Sequence, residues 1–295
     1  MYTQTIAPYA EPIHLNEAKK QVRAADASED ALLQQNIKAA RLYVESNTGL
    51  QLVAATWKLV ADSFAKANML DESSRPAEFR NPDYASVGYP IFTNGTVELR
   101  KCPVVSVSGI TYVDPDGTTQ TLGTSHYSVD TDSAPARISP AYGESFPATR
   151  SVRNAVNITF NAGYVTPITV VYSTGVFTSY GRTFANNDVV RLTNSGGVLP
   201  TGLADYTDYH VINASGQTFK LSLTEGGAAV TLADNGTGTH FIGDMPETAK
   251  QAMLLLISHF YNNREAVVVT QGGTTATLDL GVESMLQDLR YSMFA

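Results

Sequence analysis

Several patterns in the 295-residue chain set reactive residue types at spacings that chemistry uses. Ser63–Lys66 fits S-x-x-K, in which a lysine assists a serine nucleophile in acyl transfer. No K-T-G follows, and the segment reads as a strand running into a loop, so the match is one of chance. Asp114 and Asp116 offer carboxylates to a cation, but the EF-hand spacing and its terminal glutamate are missing. The run Asp114-Pro115-Asp116-Gly117 reads instead as a type I turn. Asp205 and Asp208 could form a carboxylate pair of the glycosidase kind, although nothing in the sequence sets their separation and an exposed loop is the plainer reading. The five histidines, His14, His126, His210, His240 and His259, contain no i, i+4 pair, and His259 reads as a core or interface histidine rather than a ligand. A single cysteine, Cys102, excludes an intrachain disulfide and a multi-cysteine zinc site, and reads as a small core residue. No Walker loop, dinucleotide fingerprint or basic–aromatic stripe is present. The expectation is no enzyme, no metal and no cofactor.

With no reactive cluster to organise it, the chain is best read from Pro246–Glu265, PETAKQAMLLLISHFYNNRE. A proline costs nothing at a helix start, because the first helical N–H has no intrahelical partner. Pro246 therefore opens a helix with Glu247 in the first turn and Arg264 in the last. Ala249, Ala252, Met253, Leu254, Leu255, Leu256, Ile257, Phe260 and Tyr261 make its apolar arc wider than one wet surface allows. The run is too short and too polar at its ends to span a bilayer. A helix buried on two sides is expected, with a second subunit on one of them.

Taken in order, the chain predicts helices over residues 15–24 and 29–47, the second capped by Ser28, facing inward through Leu33, Ile37, Ala40 and Val44, and stopped at Gly49. From Leu52 the period becomes two. Strands are predicted at Thr56–Ala61, Thr96–Arg100, Val104–Val113, Thr119–Leu122, Tyr127–Asp130, Ala136–Ile138 and Ala155–Phe160, with an exposed loop over Ala65–Pro90. Residues 165–243 are rich in Thr, Gly, Asn and Val. Short strands there, at Ile168–Tyr172, Val189–Thr193, Tyr209–Asn213, Phe219–Leu223, Val230–Leu232 and Thr239–Ile242, predict a sandwich or barrel inserted into a loop of the first domain. A polar tail, residues 267–295, carries a short helix near Val282–Tyr291 and is of a type that orders against a partner. The fold class is therefore α+β: a small helical bundle with an antiparallel β-layer over residues 52–164, plus the inserted all-β domain. The core domain is assigned residues 1–164 and 244–295.

Hydrophobic residues at 43% supply a sizeable core, and a formal charge of −8 argues against affinity built on phosphate neutralisation. No basic patch or apolar run opens the sequence, so no signal peptide is read and the expected place is the cytosol or something assembled there.

Three stretches resemble one family, the head–tail connector (adaptor) proteins of tailed bacteriophages. They are Ile13–Leu52 with its ending R-x-Y-V-E-x-x-T-G at Arg41–Gly49, Val104–Leu122 continuing to Ala155–Tyr164, and Ala252–Ala266. The insert departs from the usual pattern, in which the A-G-Y stretch passes almost directly to the last helix. Its Gly196–Leu232 stretch resembles a β-module appended to various phage structural proteins. The resemblance implies a virion neck protein, assembled in the host cytoplasm, whose homo-oligomeric ring (commonly a dodecamer) sits beneath the portal protein. Tail or stopper proteins would dock on it, and double-stranded DNA would pass its lumen without specific binding. It implies no membrane. Candidate subunit-interface residues are Leu33, Ile37, Tyr43, Leu256, His259, Phe260 and Arg264. Portal-docking candidates are Leu286, Leu289, Tyr291 and Phe294. Two rivals remain: a glycan- or receptor-binding adhesion protein acting through residues 165–243, and a hydrolase using Asp205 and Asp208.

Overall fold

In the computed structural model, residues 1–24, 26–64, 92–93, 95–205, 207–263 and 280–291 are described. The first half runs β1 (Tyr2–Ile6), α1 (Leu15–Val22), α2 (Asp30–Thr48), β2 (Ala55–Ala61), β3 (Phe92–Thr93), β4 (Thr96–Leu99), β5 (Val104–Val113), β6 (Thr119–Leu122), β7 (Tyr127–Asp130), β8 (Ala136–Pro140) and β9 (Val156–Ala162). The second runs β10 (Thr166–Val171), β11 (Val176–Ser179), β12 (Val189–Val198), β13 (Asp208–Ser215), β14 (Thr218–Ser222), β15 (Thr237–Ile242), α3 (Glu247–Asn262) and α4 (Leu280–Tyr291). The fold class is α+β, with a closed β-barrel in the inserted region. Two units divide the chain. One comprises Met1–Ala7, Gly49–Gln51 and Ala55–Gly163, the other Pro8–Thr48, Leu52–Ala54 and Tyr164–Ala295.

Among the described residues the first unit is built of β-strands, with one 3-10 turn at Thr124–His126. A five-stranded sheet has the order β1-β2-β9-β5-β6, and a four-stranded one the order β3-β4-β8-β7. Strand β9, VNITFNA, alternates strictly and buries Val156, Ile158, Phe160 and Ala162. Period-two burial of this kind fixes register, since a one-residue slip would turn all four to the wet face. They meet Leu59, Val97, Leu99, Ile110 and Ile138 in one core. Strand β1, unforeseen in the Tyr- and Pro-bearing arm, is held by Tyr2. Its hydroxyl donates to the Glu98 carbonyl at 3.1 Å and accepts from the Arg100 N–H at 3.0 Å. Burial pushes this phenol up to about 12.

The second unit pairs helices with a barrel. Strands β10-β11-β14-β13-β12-β15 close on themselves, every neighbour antiparallel. Inward residues Phe177, Val190, Leu192, Tyr209, Val211, Phe219 and Leu221 fill the interior, so the barrel encloses a packed core and not a ligand cavity. Strand β11, absent from the sequence reading, follows a Thr174-Gly175 turn in which Gly175 has φ +63. Val230–Leu232 is a correction: only a single bridge, Ser222 to Ala229, forms there, and Leu232 turns inward to close the core.

Helix α1 is N-capped by His14, whose Nδ1 accepts the Asn16 N–H at 3.1 Å. It ends at Arg23 in the left-handed region, φ 57. Ser28 does not cap α2; its hydroxyl and N–H both turn back to Asp26. A local side-chain loop thus replaces the forward cap. At the other end Gly49 takes φ +77, as a helix stop requires. Helix α3 begins after Pro246, whose carbonyl accepts from Ala249 and Lys250. It packs on α1, α2 and α4. The tail helix is a second correction. Val282, Leu286 and Leu289, at i, i+4 and i+7, form one stripe buried on the unit's own helices, while Glu283, Gln287 and Asp288 stay exposed.

Candidate interaction surfaces

Most of the reactive residues are occupied locally. Asp114 accepts the Thr118 N–H at 2.8 Å and the Gln120 side-chain amide at 2.9 Å, and the Gly117 N–H closes the turn on the Asp114 carbonyl. The Gln120 bond, then the Thr118 bond, hold this carboxyl below its usual range. Asp208 is taken by Arg191, through Nε and through Nη2 at 3.2 Å, which lowers the carboxyl. Asp205 is exposed, and its carbonyl accepts from Thr207. Lys66 of the S-x-x-K match, like the predicted loop around it, lies outside the described residues.

The histidines stay apart. His126 faces Glu144 at 3.4 Å, and His259 meets the Asn263 side chain at 3.3 Å. His240 is buried between the Asn235 carbonyl and the Asn194 amide, an arrangement that suits a neutral ring with its proton on Nε2; burial lowers its pKa. The Nδ1 of His210 has no hydrogen-bond partner among the described residues. Among those residues no three His, Cys, Asp or Glu side chains gather as a metal site would need. Cys102 is buried, its thiol raised by burial. Among the described residues no helix is long and apolar enough to cross a membrane.

The interface candidates divide by burial. Leu33, Ile37 and Leu256 form the helical core, with Leu286 and Leu289 beside them. Tyr43, His259 and Phe260 are half-buried and retain surface, as do Leu254 and Leu255 on α3. Leu42 of α2 is exposed. A cleft of about 250 Å³ opens on α3, lined by Leu255, Leu256, Ser258, His259, Asn262, Asn263 and Val282. Arg264, Phe294 and the side chain of Tyr291 lie outside the described residues.

Sequence reasoning missed two polar nodes of the second unit. In one, Arg41 donates from Nε and Nη2 to both oxygens of Glu11 (2.6 and 3.1 Å) and from Nη1 to Glu45 (2.8 Å). Glu45 also accepts the Leu52 N–H at 3.1 Å, so one guanidinium ties the segments before and after α1–α2 to α2. In the other, Glu17 of α1 accepts from Ser195 of β12 at 2.7 Å and from Lys250 of α3 at 2.9 Å, while Ser195 accepts the His14 N–H. The barrel approaches α1 closely there because Gly196, φ +76, has no side chain; an added Cβ would lie 2.3 Å from the His14 ring. Gly196→Ala should therefore lose about 1–2 kcal/mol to backbone strain and about 1–3 kcal/mol more to overpacking. Urea unfolding of the purified variant reads this directly, and an unchanged midpoint would contradict the contact.

Neither a protein-family model nor a curated protein matches this sequence. Solved structures do. A chain in the neck of an empty gene transfer agent (GTA) particle, computed with C6 symmetry, is similar at TM-score 0.52 and 15% identity, covering 98% of this chain and 95% of that one. A chain of the native gene transfer agent virion gives 0.51 and 17%, with 98% and 95% covered. At these identities the shared property is the fold. It runs through the barrel as well as the helices.

Proposed function

We propose that the chain is a structural subunit of the neck of a tailed, phage-like particle, a head–tail connector that assembles as a homo-oligomeric ring. One observation carries the reading: the likeness to a neck chain spans 98% of this chain, barrel included, as a whole-chain counterpart would. The half-buried apolar residues of α3 and the exposed Leu42 support it, since a heterologous contact needs surface left over from the core. On this reading the ring, a dodecamer, extends the DNA channel below the portal and receives tail or stopper proteins. Its net negative charge suits a lumen that must release DNA. Residues 1–164 and 244–295 serve as the connector core, and residues 165–243 as a bracing module. Portal docking falls to residues 267–295. Because Leu286 and Leu289 are spent on the helical core, the outward face of α4 (Glu283, Gln287, Asp288) is the part available for it.

The test is sedimentation of the purified protein with and without the portal ring of the same particle, followed by negative-stain class averages. Rings with rotational symmetry that co-sediment with portal are expected. A monomer that ignores portal at every concentration would overturn the reading.

A further inference from the structure

The five-stranded sheet ends on two strands that carry neither a lysine nor a proline. Its outer members, β1 and β6, have no partner on their outer sides among the described residues. Both contain the same triplet: Thr3-Gln4-Thr5 in β1 and Thr119-Gln120-Thr121 in β6. Neither strand holds a charge or a proline, and both are almost wholly exposed, Ile6 at 61%. Proteins that must stay single guard such edges with charge or proline, because unpaired N–H and C=O groups template another strand; β1 shifts register between Gln4 and Ile6, which leaves Tyr2–Gln4 as its regular stretch. Strand β7, an edge of the other sheet, carries Asp130.

The ladders fix which residues of each edge face outward. Met1 and Val60 exchange both hydrogen bonds, at 2.8 and 2.9 Å. Hydrogen-bonded and non-hydrogen-bonded pairs alternate along an antiparallel ladder, so Thr3 faces Lys58 while Tyr2 and Gln4 aim their N–H and C=O groups outward. On β6, the Asp114 N–H bonds the Thr118 carbonyl, so by the same alternation Gln120 faces Tyr112 while Thr119 and Thr121 point outward. Each edge therefore presents two residues, two apart. Direction agrees too. Five strands paired antiparallel throughout leave β1 and β6 running the same way.

We propose that β6 of one copy pairs in parallel with β1 of the next, so that the sheet continues from subunit to subunit around the ring. The contact is heterologous: every copy uses one edge to give and the other to receive, which is what a closed ring requires. A second copy is the occupant because both halves of the joint, running the same way and each offering outward N–H and C=O groups two residues apart, sit on one chain. This inference rests on the ring reading above.

Two protein batches test it, one carrying Gln4→Cys and the other Thr121→Cys, with Thr119→Cys as an alternative partner to cover register. Cys102, at 3% exposure, stays out of the reaction. Mild oxidation of the mixture should give a disulfide-linked dimer that neither batch gives alone. Gln4→Pro, which removes only an outward N–H, should lower the ring fraction at least tenfold with thermal unfolding unchanged. Gln4→Lys serves the same purpose if the proline variant fails to fold. Rings that persist in both variants without a cross-link overturn this joint and leave the ring reading standing. Gln4→Cys linking to itself overturns the head-to-tail order. A protein that neither rings nor cross-links at any concentration overturns both.

Discussion

Leu256→Asp should yield no folded protein. Leu256 sits at 0% exposure on α3, among Ala249, Ala252, Met253 and Ile257. A carboxylate placed among those apolar side chains loses most of its hydration, a cost of several kcal/mol or protonation of the new side chain. Domains of this size hold a margin of about 5–15 kcal/mol, and lost packing of the leucine removes about 2–5 of it before the charge is counted. Circular dichroism of the soluble fraction checks this; a native spectrum with a cooperative melt would show that α3 does not close the helical core. Phe260→Asp, one turn on and half-buried, should behave differently. It should fold with a near-native melt and fail to form rings. The two variants separate a residue that builds the subunit from one that, on the ring reading, joins subunits.

Arg41→Ala carries the second large effect. Its guanidinium is 4% exposed and engages three carboxylate oxygens, of Glu11 and Glu45. Removing it leaves the Glu45 carboxylate, 7% exposed, without the cation beside it. Breaking a buried ion pair from one side costs about 3–5 kcal/mol. Arg41→Lys should recover little, because an ammonium cannot bond both oxygens of Glu11 and reach Glu45 together. Equilibrium urea unfolding at neutral pH measures both variants, and an Arg41→Ala midpoint within error of the parent would refute the role assigned to this node.

That node explains why the R-x-Y-V-E-x-x-T-G run is legible as a unit in sequence. Arg41 and Glu45 are one helical turn apart and pair, the Thr48 hydroxyl bonds the Val44 carbonyl, and Gly49 takes the left-handed stop. Its long-range partner, Glu11, leaves no local signal. Strands β5 and β6 can be placed to the residue because the Asp114–Gly117 turn between them is written in local residue types and fixes where one stops and the other starts. Where tertiary contacts decide, the pattern fails. Strand β1 has four exposed residues of five and no apolar period, and its place depends on β2, some fifty residues later. Ser28 carries the residue type of a cap but bonds backward. The tail reads as a segment that orders against a partner, yet Val282, Leu286 and Leu289 seat its helix on α2 and α3 of the same chain. Of the apolar arc read on α3, Leu254, Leu255 and Phe260 keep surface, whereas Leu256, like Leu33 on α2, belongs to the core. Helical period shows which residues are apolar, not how many neighbours the same chain will supply.

Electron cryomicroscopy of the neck of the particle that carries this protein, reconstructed without imposed symmetry, tests the connector reading most directly. A ring of copies of this chain beneath the portal is expected, with the barrel and the helical bundle both visible in every subunit. A neck built without it, or single copies placed elsewhere on the particle, would contradict that reading.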